Sequence, residues 1–263
     1  MEPLRRWHRI LACAVVFLAL IGVAVAVRRI LVVLPTLLPG QVSSFPSNSP
    51  VAARLAPLDS TFNRHPWLTL THIIPGILFM LLGPLQLSAT IRRRHPRYHR
   101  IAGRVFVAAA YIVGISAIVM SWAMPAIGGV NQAAATTLFG SFFLIALTKA
   151  FLHIRRGEIA LHREWMLRAF AIGLAVATIR PIIGFFFATS RLTGLTPHDF
   201  FGIAFWIGFV LQTIAAEIWI QSTRPPRIFP ADGLASVAAT QAHTGTQLSP
   251  LPRTLADHKD KFA

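Results

Sequence analysis

Acidic residues are the scarcest feature of this chain, in which nine Asp and Glu stand against 25 Lys and Arg. A proton relay built from intramembrane carboxylates is disfavoured, because Glu217 is the one acid in the interior of a long apolar run. The single cysteine, Cys13, excludes an intrachain disulfide and any cluster of cysteine ligands. The sequence also has no phosphate-binding glycine loop and no Gly-x-Ser-x-Gly nucleophile motif.

Charged residues of either sign are few, at 13% of the 263 residues, while 54% are hydrophobic and mean hydropathy is +0.60. Soluble domains have about 25% charged residues. The net charge of +16 could indicate a nucleic-acid partner, but the basic residues cluster at the ends of apolar runs. The predicted partner is therefore the lipid bilayer, with arginines against anionic headgroups, and no nucleic acid.

Six apolar runs are long enough to cross a bilayer as helices, since about 20 residues at 1.5 Å each cover its hydrocarbon core. They are Ile10–Val27, Pro66–Ala89, Gly103–Met124, Ala133–His153, Glu164–Ala188 and Phe200–Ile220. Membrane β-barrels need short alternating segments instead. The predicted fold is an all-α, polytopic transmembrane helical bundle of about six spans.

The chain divides into four predicted segments. Residues 1–34 form a basic N-terminal segment and a first transmembrane helix, expected to stay uncleaved because its apolar run exceeds the length of a signal peptide. Residues 35–65 form a Pro/Ser-rich external loop, and 66–221 form a five-helix membrane core. Residues 222–263 lack periodic apolar content and are expected to be a disordered cytoplasmic tail.

The Lys and Arg distribution predicts that both chain ends lie on the cytoplasmic side of an inner (plasma) membrane. Fourteen arginines fall in the segments assigned to that side and five in the external connections. Positive charge in short loops marks the cytoplasmic face. Arg28 and Arg29 are the one discordant pair.

Ionisable side chains inside the apolar runs mark candidate sites, because they are costly to bury. His72 and Arg180 lie about 9 Å and 12 Å below the external ends of their helices, at 1.5 Å per residue. We expect them to meet in the bundle interior. Lys149 and Glu217 lie near cytoplasmic ends, where an ion pair between them is expected. The alternative is that all four are structural or snorkelling groups.

Histidines at the cytoplasmic helix ends are candidate haem or metal ligands: His99, His153 and His162. A b-type haem between helices needs two imidazoles at one depth, which His99 and either of the others would supply. Transmembrane di-haem cytochromes have such a histidine pair in each of two layers. The chain is similar in its histidine-rich helix ends, but its external layer offers only His72. Zinc is a further alternative, since His95 and His99 are four residues apart, with Glu158 or Glu164 needed to complete the site.

Three motifs stand out along the chain. They are Gly83-Pro84-Leu85-Gln86-Leu87 after His72, the basic run from Arg94 to Arg104, and His162-Arg163-Glu164-Trp165-Met166-Leu167-Arg168 followed by Ala177-Thr178-Ile179-Arg180. Together they resemble an uncharacterised family of predicted bacterial multi-pass membrane proteins, a domain of unknown function, over roughly residues 65 to 190. The resemblance implies a helical protein of the bacterial inner membrane and no established activity, substrate or cofactor.

Three functions stay open at this point. The first is binding or transport of a small anionic solute, favoured by Arg180 and Lys149 inside spans. The second is a haem b-binding redox protein, and the third is a metal-assisted membrane enzyme at the inner face. The candidate functional residues are the motif positions His72, His99, Arg100, Arg104, His162, Arg163, Arg168 and Arg180.

Overall fold

The chain is described by a computed structural model covering residues 2–38, 56 and 59–224. The regular elements of that part are helices: α1 (Glu2–Val33), α2 (Pro66–Leu87), α3 (Ala89–Arg94), α4 (Pro96–Ala123), α5 (Gly129–Arg155), α6 (Ile159–Thr193) and α7 (Pro197–Thr223). A 3-10 turn, Leu34–Leu37, extends α1. All but α3 are long and apolar enough to cross a membrane. The predicted all-α bundle of six spans is confirmed.

Two of the predicted segments are only partly described. The expected disordered tail lies outside the described residues from 225 onward, and so do residues 39–55, 57 and 58 of the expected 35–65 loop. Within that loop, residues 59–64 are helical. They bring Asp59 to Arg28 and Arg29, the pair that is discordant with the charge rule.

The helices extend beyond the apolar runs that predicted them. Helix α4 begins at Pro96, seven residues before the apolar run, because proline suits a first helical turn. Helix α6 covers Ile159–Thr193 and ends at Gly194, whose φ of 69° is the left-handed conformation that glycine favours at a helix end. Hydropathy marks the apolar part of a helix, whereas backbone hydrogen bonds continue through its polar flanks.

Five of the long helices contact one another in a closed ring. Helix α1 packs on α2 and α6, and the ring continues from α2 through α4 and α5 back to α6. Helix α7 joins this ring through side chains: Trp206 Nε1 donates to Asn131 Oδ1 of α5 at 2.8 Å, and Gln212 Nε2 donates to Thr178 Oγ1 of α6 at 2.6 Å.

Four phenylalanines fill the middle of the helix bundle: Phe79, Phe106, Phe143 and Phe170. We call them the aromatic cluster. The Phe79 ring lies 4.8 Å from that of Phe106, 5.7 Å from Phe143 and 5.6 Å from Phe170, measured between centroids. All four side chains are buried. The cluster joins α2, α4, α5 and α6 and divides the interior into two halves.

The two ends of the bundle differ in charge. We call the end at which α4 and α6 begin the basic end, because the connections there carry Arg92–Arg94, Arg97, Arg155 and Arg156. The opposite end, at which α2 and α7 begin, carries Arg28 and Arg29 beside Asp59.

Candidate functional site

A cavity of about 1520 Å³ lies between the helices at the basic end. All six long helices and α3 contribute to its walls, and Phe106 and Phe170 of the aromatic cluster line its inner part. Apolar side chains such as Val15, Leu167 and Leu174 make up much of the surface. Pockets for drug-sized ligands have volumes of about 300–1,000 Å³, so this cavity has room for a molecule with a long apolar part.

The three sequence motifs converge on this cavity. Twelve motif residues line it: Gly83, Pro84, Gln86, Leu87, His99, Arg100, Gly103, Arg104, His162, Arg163, Met166 and Leu167. They come from α2, α4 and α6, which are separated in the sequence but neighbours around the cavity. Their convergence explains how three distant motifs can belong to a single site.

Five arginines line the cavity: Arg92, Arg100, Arg104, Arg155 and Arg163. Its described lining includes no Asp or Glu, and none of the ion pairs between described residues includes one of the five. A cavity lined by positive charge without carboxylates attracts anions and repels cations.

The amide of Gln86 connects the first two motifs. In the orientation that satisfies its neighbours, its NH2 group donates to His99 Nδ1 at 2.8 Å and to the His99 carbonyl at 3.2 Å. Its oxygen accepts from the Gly103 N–H at 3.2 Å. A Cβ on residue 103 would lie 3.3 Å from the NH2 nitrogen in this orientation, so a side chain there would crowd the Gln86 amide. Neutral His99 then carries its proton on Nε2 and is a hydrogen-bond donor there.

His162 has the other tautomer. Its Nδ1 lies 2.8 Å from the Ala150 carbonyl oxygen of α5, and since a carbonyl only accepts, Nδ1 must carry the proton. Its Nε2 is then left with a lone pair. The two imidazoles are close enough to interact electrostatically. The cavity thus has one imidazole donor and one imidazole acceptor when both histidines are neutral.

The other predicted residues at the basic end have structural partners. His153 pairs with Glu158 and is not among the residues lining the cavity. The expected ion pair between Lys149 and Glu217 is wrong, because Arg168 takes both Glu217 oxygens at 2.5 and 3.0 Å. Lys149 instead lies over the Trp165 ring, 4.4 Å from its centroid. Sequence depth placed Lys149 and Glu217 at one level, but helix rotation decides which side chains meet.

His72 and Arg180 lie in the other half of the bundle. His72 Nδ1 is 2.9 Å from Ser116 Oγ of α4. Arg180 is within electrostatic reach of both His72 and Arg29. The structure therefore places His72 and Arg180 within electrostatic reach of each other and apart from the other motif residues. The aromatic cluster lies between them and the cavity, since Phe79 follows His72 by about 10 Å along α2 and Phe170 precedes Arg180 by about 15 Å along α6, at 1.5 Å per residue.

Metal-ligating side chains do not gather in the described part of the chain, where no group of three or more His, Cys, Asp or Glu could hold a metal ion. Nothing there adds support to the metal-assisted enzyme. A haem needs only two ligands, and His99 and His162 line one cavity.

The sequence-based prediction did not include several residues of the site. Arg92 and Arg155 line the cavity, although the sequence marked them only as topological charges. Leu11 to Val16 of the first helix also contribute wall residues. The amide of Gln86 was the available signal, because it is one of few polar side chains in an otherwise apolar helix.

The comparisons with known proteins identify one similarity. The profile of a family described as "Predicted membrane protein (DUF2306)" matches residues 69–220. The match includes α4 to α6 entirely and nearly all of α2 and α7. No curated protein and no solved structure matches.

Proposed function

Because the chain belongs to this family of predicted membrane proteins, whose function is not established, we propose that it binds an amphiphilic anion within the bilayer. The proposal rests on one observation: three motifs converge on a large cavity with apolar walls, five arginines and no described carboxylate. The anionic group of the ligand contacts Arg100, Arg104 and Arg163, and its apolar body lies along α6 toward Leu174. A small inorganic anion would leave most of the cavity unfilled.

The chemistry of the lining favours a carboxylate or phosphate as the head group. Arginine holds such groups through charge-assisted, often bidentate hydrogen bonds. The Nε2–H of His99 adds a neutral donor beside them. In the sequence-based hypothesis the solute was small and anionic; the volume of the cavity extends that hypothesis to an anion with a long apolar body, bound or carried within the bilayer.

The test is binding of radiolabelled oleate to the purified full-length protein in detergent, compared with oleyl alcohol, which lacks the charge. Arg100→Gln with Arg104→Gln should weaken oleate binding about 10-fold or more, because charged hydrogen bonds are lost. The matched control is Arg93→Gln with Arg94→Gln, which removes two charges from the same connection but none from the cavity lining. Equal loss in both variants, or equal binding of the acid and the alcohol, would contradict the proposal.

A haem b-binding redox protein is the second candidate, favoured by the free Nε2 of His162 in the same cavity as His99. It ranks second because the Gln86 amide places the proton of neutral His99 on Nε2, the atom that would have to ligate iron. The same purified protein separates the two candidates by its absorption spectrum. A Soret band from cells supplied with haem, lost in His162→Ala, would replace the anion proposal with the haem one.

We also propose that the basic end faces the cytoplasm of an inner membrane, with both chain ends on that side. The arginine count of fourteen against five supports this orientation, and Asp59 neutralises part of the discordant charge of Arg28 and Arg29. A reporter fused after Phe262 should give a cytoplasmic signal. A fusion after Gly194, in the connection before α7, is the control and should give the reverse. An external signal at Phe262 would refute the orientation.

A further inference from the structure

The opposite half of the bundle contains a second group of positive side chains that the proposed cavity site does not use. Arg180, in the middle of α6, is partly buried. The Phe79 ring of α2 lies against Gly173 of α6. His72 and Arg180 are each seven residues, or two helical turns, from that contact toward the same end of the bundle, so they lie on facing sides at one level. Arg180 also interacts electrostatically with His72 and with Arg29 of α1. None of the hydrogen bonds or ion pairs between described residues includes its guanidinium group.

The charges around Arg180 do not balance among the described residues. The Asp59 carboxylate accepts from both Arg28 and Arg29, and no ion pair between described residues includes Arg180. Residues 39–58 contain no Asp or Glu and add one arginine, so that part of the sequence has no carboxylate to contribute. An arginine in a membrane span without a counter-charge is expensive, and a bound anion would remove that cost.

The hydrogen bonds of His72 indicate which anion fits. The Ser116 hydroxyl donates to the Ile112 carbonyl at 2.6 Å, so its oxygen accepts from His72 Nδ1–H at 2.9 Å. The Val113 carbonyl lies beside the same ring. Neutral His72 therefore has Nε2 free as an acceptor. A ligand shared by Arg180 and His72 must offer a negative oxygen to the first and an O–H group to the second.

We propose that His72 and Arg180 form a second anion site, separate from the cavity at the basic end, which binds a small oxyanion that retains a proton. Hydrogen phosphate and hydrogen carbonate have this chemistry, and so does the phosphomonoester head of a lipid. Sulfate and chloride lack the proton that His72 accepts. A buried acceptor discriminates between otherwise similar anions in this way, because a fully ionised anion would face the lone pair without a hydrogen bond.

The experiment is a titration of the purified full-length protein in detergent with inorganic phosphate, sulfate and chloride at matched ionic strength, by calorimetry and thermal unfolding. Phosphate should bind and raise the unfolding temperature more than sulfate or chloride. Arg180→Gln should weaken phosphate binding about 10-fold or more. Arg191→Gln is the matched control: it removes one exposed charge from the end of the same helix and should leave binding unchanged.

Further variants and ligands make the result interpretable. His72→Phe keeps Arg180 and should abolish the preference for phosphate over sulfate, which remains informative if Arg180→Gln fails to fold. Phosphatidic acid against inorganic phosphate distinguishes a lipid head group from a soluble anion. Arg100→Gln with Arg104→Gln should leave phosphate binding intact, so this site and the cavity site can fail separately. Sulfate binding as tight as phosphate, or equal phosphate binding by Arg180→Gln and the control, would overturn the proposal.

Discussion

Replacing Gly83 by alanine should destabilise the protein by about 2–3 kcal/mol, although alanine is the better helix former by about 1 kcal/mol. A Cβ at position 83 would lie 2.0 Å from Phe170 Cε2 and 2.7 Å from its Cζ. Ordinary carbon contacts are about 3.5–4.0 Å. Movement of the Phe170 ring is restricted on the side of Phe79 and Phe106, on which it packs, and the ring is 4% exposed.

Thermal unfolding of the purified protein in detergent measures this cost. Gly184→Ala is the matched control, because it places a Cβ in a long apolar helix with no heavy atom within 4 Å. The control should unfold at the same or a slightly higher temperature. If both variants unfold at the same temperature, the Phe170 side chain can move aside, and its contact with Gly83 does not require glycine at position 83.

Truncating Phe79 to alanine should cost about 3–5 kcal/mol, the range seen for buried aromatic side chains. Phe79 is 1% exposed and contacts the other three rings of the aromatic cluster. Inside a bilayer the loss is mainly one of packing, since lipid solvates apolar side chains as well as protein does. Alanine here would leave a cavity shared by α2, α4, α5 and α6.

Phe185→Ala is the comparison for this second prediction, because the Phe185 side chain is 64% exposed. It should unfold within a few degrees of the unmodified protein. A Phe79→Ala variant as stable as Phe185→Ala would show that the cluster can collapse around the missing ring and does not hold the helices together.

The aromatic cluster lies between the two proposed anion sites. One lies at the basic end and suits a large amphiphile, and the other lies around Arg180 and suits a small oxyanion. Four buried rings separate them. Each site is therefore expected to bind its ligand independently.

Membrane insertion and helix content follow from the sequence alone, because they depend on local properties. A run such as Phe200–Ile220 is apolar over its whole length, and in a bilayer every backbone polar group in such a run must be bonded within the segment. Depth is local as well, at 1.5 Å per residue, and it predicts that His72 and Arg180 lie at a similar level.

The tertiary structure decided how each helix is rotated about its axis and which helices are neighbours. The expected pair of Lys149 and Glu217 failed because depth does not specify which way a side chain faces around its helix, and packing turned Glu217 toward Arg168. Packing likewise placed His162 rather than His153 in the cavity with His99. Apolar helices in lipid are sorted by the close fit of residues such as Gly83 against Phe170, and such a fit involves residues far apart in the chain.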